Sequence, residues 1–151
     1  MNSEDIAIKQ PPHLFSETQE IIAQLEAHLQ APLLCYWNSH RGGICANDVL
    51  ALYQIMEYVQ QTETAYVFIK SDGGSGKEAL RMINLIRGHC NKLVSLVPLE
   101  CASAATMMAI GADEIHMGPM AFLSSVDTSL THDLSPLDRD NDRVSVSLDE
   151  L

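Results

Sequence analysis

Two short stretches carry residue types that could do chemistry. The first is Val67-Phe-Ile-Lys-Ser-Asp-Gly-Gly-Ser-Gly-Lys-Glu-Ala-Leu80, where an apolar run meets a Gly-rich turn and a helical pattern follows. Strand, glycine turn, lysine and helix form the setting of a phosphate-binding loop, whose pattern is Gly-x-x-x-x-Gly-Lys-Ser/Thr. Gly76-Lys77 fits the middle of that pattern. Ser71 stands where the leading Gly belongs, and Glu78 where the Mg²⁺-holding hydroxyl belongs. Those two failures favour the alternative, a tight turn that needs glycine torsions.

The second stretch is Leu99-Glu-Cys-Ala-Ser-Ala-Ala-Thr-Met-Met-Ala-Ile-Gly-Ala112. Small residues surround Ser103 at the expected start of a helix. A Ser there lies in the positive field of the helix N-terminus. Backbone N–H groups beside it lack intrahelical partners and could hold an oxyanion. The same Ser could equally be an N-cap on a tightly packed helix. Taken alone, Ser103 favours the cap.

The elements that must position these stretches follow from periodicity. Residues 1–15, broken by Pro11 and Pro12, read as a flexible arm. Ser16-Glu-Thr-Gln19 has capping-box form, and Ile21, Ile22, Leu25 and Leu29 continue it as an amphipathic helix to about Gln30. Strands are predicted at Pro32–Trp37, Ala65–Ile69 and Leu93–Leu99, with shorter ones at Glu114–Met117 and Met120–Ser124. Between them lie a helix capped by Asn47 or Asp48, a helix over Glu78–Gly88 and a third over about Ala102–Gly111. Strands alternating with helices predict an α/β fold, a mostly parallel sheet flanked by helices. Right-handed crossovers put every strand-to-helix turn at one sheet edge, where ligands bind in open α/β sheets. The turns at 38–47, 72–76 and 100–103 are therefore expected to be neighbours.

Bulk properties narrow the function classes. The 151 residues suit one domain over about 16–135, and 46% hydrophobic residues suffice for a core. A formal net charge of -11 argues against nucleic-acid binding. Acidic residues crowd 136–151, a segment that looks solvated or interaction-prone. Ser147-Leu-Asp-Glu150 has capping-box form at the very end of the chain, which implies a fragment or a helix packed by a partner. Cys35, Cys45, Cys90 and Cys101 show no CxxC spacing, so a reduced, cytoplasmic setting is the default. No signal-peptide pattern or bilayer-length apolar run is apparent. His13, His28, His40 and His89 have no metal-ligand spacing. His116 falls in an alternating strand and reads as packed or solvent-facing. No dinucleotide fingerprint GxGxxG is present, and no cofactor is implied.

Ser71-Asp-Gly-Gly74, Ala102-Ser-Ala-Ala-Thr106, Gly111-Ala-Asp-Glu-Ile-His-Met-Gly118 and Leu123-Ser-Ser-Val-Asp127 follow one another in that order. In combination they resemble the Clp protease/crotonase superfamily. The branch they are most similar to is serine dehydrogenase proteinase, related to signal peptide peptidase A. Its pattern runs Ser/Thr-Pro-Gly-Gly, Ala-Ser-Ala-Gly/Ala-Thr, Ala-Asp-Glu-Ile-x-Met-Gly, then a Leu-Gly-Pro-Ile-Asp-like segment. Asn47-Asp48 also resembles the acidic entry to that family's first long helix.

The resemblance spans roughly residues 32–135 and implies a Ser-nucleophile peptidase acting through an acyl-enzyme. It makes Ser103 the nucleophile and assigns the oxyanion-hole N–H groups to Gly74 and Ala104, with Gly73 forming the turn. It also implies a homo-oligomer acting on peptide or protein substrates. Two departures stand out. Asp72 replaces the turn proline, and its carboxylate would oppose a developing oxyanion unless it points away. The general base is the other: Asp127 and His132 are the candidates, and no Lys follows Lys92 to serve as a downstream lysine base. A catalytically incomplete assembly or peptide-binding member, and a crotonase-like acyl-thioester enzyme, are the alternatives.

Overall fold

The computed structural model describes residues 15–126, 129–130, 135, 137–139 and 146–147. Helix α1 spans Phe15–Leu29 and ends at Gln30, a non-glycine residue at φ 54°. It is tied to the first strand by the Glu26 carboxylate, which accepts the Leu33 N–H at 3.0 Å. Strand β1 (Leu33–Trp37) leads through a polar loop to α2 (Ala46–Met56), then β2 (Thr62–Lys70), α3 (Gly76–Arg87) and β3 (Cys90–Val97). A two-residue strand β4 (Glu100–Cys101), α4 (Ala104–Ile110) and β5 (Glu114–Met117) complete the α/β unit. Beyond them lie β6 (Phe122–Leu123) and the antiparallel pair β7 (Ser129–Leu130) and β8 (Val146–Ser147).

The main sheet is four-stranded and wholly parallel, in the order β1-β2-β3-β5. Because the order never reverses, right-handed crossovers stack α2, α3 and α4 on one face. Ala65, Val67, Ile69, Leu93 and Val97 are buried there against Val49, Leu52 and Met56 of α2 and Met82, Ile83 and Ile86 of α3. Helix α4 adds Ala104, Ala105, Met108 and Ala109, all buried. Its alanines and Gly111 let it lie close to α3; a Cβ on Gly111 would come 2.8 Å from Ile83 Cγ1. On the opposite face, Trp37 is 63% exposed and stacks on Phe68 at 5.9 Å.

The predicted mostly parallel α/β architecture is present, with shifts at element ends that have local causes. Helix α3 begins at Gly76, because the Ser75 hydroxyl accepts the Glu78 N–H and caps it. Neither Asn47 nor Asp48 is the cap of α2. Cys45 holds that position, and the Asp48 carboxylate reaches back to accept its N–H at 2.9 Å. Strand β3 stops at Val97, before Pro98, rather than at Leu99. The chain then re-enters as β4, which pairs with β6 and bridges Ser71. Ser147, expected to open a helix, instead ends β8.

Candidate active site

The predicted meeting of three turns is realised around the glycine pair. The Ser71 hydroxyl, fully buried, accepts the Gly73 N–H at 3.1 Å and sets the bend. Gly73 and Gly74 then take φ 110° and 138°, torsions that side chains rarely adopt. On one flank Ile44 is stitched to the turn: its N–H donates to Gly73 O at 2.8 Å, and its carbonyl accepts Ser75 N–H at 2.9 Å. On the other flank Ser71 exchanges backbone bonds with Glu100 and Ala102, each 3.0 Å. A Cβ on Gly73 would stand 2.9 Å from both Ala102 O and Ser103 Cβ; one on Gly74 would stand 2.2 Å from Ile44 N. Glycine is required twice, for torsion and for space.

Ser103 is not a side-chain cap. It adopts φ 51°, ψ −121°, and its hydroxyl makes no capping bond to α4. An ordinary N-cap has extended torsions and uses its oxygen on the first turn. A non-glycine residue at positive φ is uncommon and strained by about 1–3 kcal/mol. Ser103 is half-buried between β4 and α4. The bend is braced on several sides. Ser103 N–H donates to Ser124 Oγ at 2.7 Å, and the Ser124 hydroxyl passes its own proton to Ser125 O at 3.2 Å. Ala105 N–H bonds Ala102 O at 3.0 Å, and the buried Thr106 hydroxyl bonds Cys101 O at 2.8 Å.

Two donors are left over. Neither Gly74 N–H nor Ala104 N–H has a hydrogen-bond partner among the described residues. Ala104 N–H is the first of α4 and so has no intrahelical acceptor; its nitrogen lies 3.3 Å from where a Gly73 Cβ would be. Gly74, Ser103 and Ala104 are thus brought together around Gly73. Asp127 and His132 lie outside the described residues.

Asp72, the residue in place of the turn proline, meets the imidazole of His40, with Nδ1 2.9 Å from Oδ2. Their side chains are 38% and 76% exposed, respectively. His40 has no motif of its own; its one signal is membership of the loop expected beside the glycine turn. Ser124 was likewise hidden, since only the pairing of β6 with β4 brings it under Ser103. Behind the turn Lys70, buried, lies 3.7 Å from Glu100 Oε2 and 6.0 Å from the Trp37 ring.

The remaining candidates sort into structural roles. Lys77 is exposed on α3, and Glu78 is paired with Arg81 at 2.8 Å. His116 is exposed and lies 3.1 Å from Glu114. Asp113 ties β5 to β3 by accepting Leu93 N–H at 2.8 Å, and it pairs with Arg87 at 3.2 Å. That amide, with the guanidinium second, holds its carboxyl below the usual range. Burial pushes the Cys101 thiol up to about 12 and raises Cys35 and Cys90 as well, so none of these is a ready thiolate. Among the described residues no cluster of His, Cys, Asp and Glu could hold a metal ion, and no helix is long and apolar enough to cross a membrane. No family model matches the chain, and no curated protein does.

Proposed function

We propose that the chain is a Ser-nucleophile peptidase of the serine dehydrogenase proteinase type, with a Clp protease/crotonase-like fold. The observation that carries this reading is Ser103, held at positive φ with its hydroxyl unused by the helix, beside the unpaired N–H groups of Gly74 and Ala104. Attack by Ser103 Oγ on a peptide carbonyl would place negative charge on the carbonyl oxygen. Gly74 and Ala104 then donate to it, and each such donor contributes roughly 3–4 kcal/mol of barrier lowering. Collapse of that intermediate breaks the C–N bond, the amine leaves with the proton taken from Ser103, and water then hydrolyses the ester to free the carboxylic acid and Ser103. The Ser103 proton requires a base within hydrogen-bond reach; Asp127 and His132 are the candidates on this chain. A homo-oligomer accords with the exposed Leu50, Tyr53 and Tyr58 on and after α2.

A fluorophosphonate probe tests the reading, since it phosphonylates only an activated Ser. Labelling of the folded protein that Ser103→Ala abolishes supports a peptidase. A second reading has its own observation: no side chain among the described residues hydrogen-bonds the Ser103 hydroxyl. That favours a peptide-binding or assembly member, which would bind peptide without labelling. An acyl-thioester enzyme would use the same two N–H groups, and Ser103→Ala would leave its activity intact.

A further inference from the structure

A carboxylate in the oxyanion turn is a liability on electrostatic grounds. Asp72 immediately precedes Gly73 and lies two residues from Gly74, a proposed oxyanion donor. Its carboxylate would oppose charge developing there unless it is held away. Its hydrogen-bonding side-chain partner among the described residues is His40, Nδ1 to Oδ2 2.9 Å, contributed by the loop that Ile44 stitches to Gly73 and Ser75. We propose that His40 is the partner that permits an aspartate in this turn: its ring holds the Asp72 carboxylate against the 38–47 loop and so preserves the oxyanion site. The inference rests on Ser103 and the glycine turn acting as proposed above. His40 is here a positioning residue, acting through Asp72 and not on the substrate.

The other charged groups of the surrounding elements are already engaged or face outward. On the strand side Lys70 pairs with Glu100 at 3.7 Å. On α3, Glu78 pairs with Arg81 and Lys77 is exposed. On the loop side Asp48 accepts from Tyr36 and from Cys45 N–H, while Arg41 is exposed and makes no ion pair among the described residues.

The test is the rate of fluorophosphonate labelling of the full chain in four forms: wild type, His40→Gln, Asp72→Asn and the double variant. His40→Gln should slow labelling by on the order of tenfold, from an Asp72 carboxylate no longer held away from the site. Asp72→Asn should not slow it, and in the His40→Gln background it should restore the rate. A pair that merely clamps two loops predicts otherwise: Asp72→Asn as slow as His40→Gln, and no rescue in the double variant. That outcome overturns the role of His40 while leaving Ser103 labelled and the parent reading intact. No labelling of folded wild type, or labelling that survives Ser103→Ala, overturns both.

Discussion

At the scale of single residues, the site is defined by torsions that only certain side chains tolerate. Gly73→Ala and Gly74→Ala each put a Cβ against backbone, at 2.9 Å from Ala102 O and 2.2 Å from Ile44 N respectively. Each should destabilise the fold by roughly 2 kcal/mol or more and abolish labelling of Ser103, measurable by urea denaturation and the probe together. Ser103 itself is strained at φ 51°. Relief of that strain should outweigh the added chain entropy of glycine. Ser103→Gly should therefore be more stable than Ser103→Ala by roughly 1 kcal/mol, while neither should react with the probe. Equal stabilities would show that the positive φ costs nothing, and the bend would lose its energetic signature. Ser95 offers a contrast. Its hydroxyl is fully buried in β3 with no partner among the described residues. Ser95→Ala should raise stability by up to about 1 kcal/mol, since it removes an unsatisfied polar group at little cost in packing.

At the scale of elements, β4 and the turns on either side of it make the site. Pairing of Ser71 with Cys101 sets the glycine turn against Ser103, and pairing of Cys101 with Leu123 sets Ser124 under the Ser103 amide. Much of this was legible in sequence. Apolar periodicity located the three long strands and their helices, and the crossover rule predicted that turns at 38–47, 72–76 and 100–103 would meet. The legible part was the local part. Strand β4 is two residues long, too short for any periodic signal; a strand was expected over Met120–Ser124, where β6 lies, but not its pairing with β4. Ser103 read as a cap because residue type alone does not reveal a positive φ. The pairing of His40 with Asp72 joins positions 32 residues apart and has no spacing to detect. The same element scale governs Asp113, which fastens β5 to β3. Its carboxyl is depressed in the folded state, first by the Leu93 amide and then by Arg87. The stabilisation is present above the unfolded-state pKa and is lost as pH falls through the folded one. Asp113→Asn should therefore lower Tm at neutral pH, with the gap to wild type closing under acid. A gap that persists at low pH would assign the effect to shape instead of charge.

At the scale of the whole molecule, the chain combines an acidic surface, at formal net charge -11, with apolar side chains left exposed on the helical layer. Leu50, Tyr53 and Tyr58 lie on or just after α2, away from the turn that holds Ser103. If they form the subunit contact, sedimentation should show an assembly that Leu50→Glu with Tyr53→Glu reduces to smaller species. Unchanged sedimentation would remove α2 from the interface.

The measurement that bears most directly on the central claim is mass spectrometry of the fluorophosphonate-treated protein, with the adduct mapped to its residue. The account predicts one phosphonyl adduct per chain, on Ser103, lost in Ser103→Ala and in Gly74→Ala while Ser95→Ala retains it. An unmodified, folded protein, or an adduct on any other serine, would contradict it.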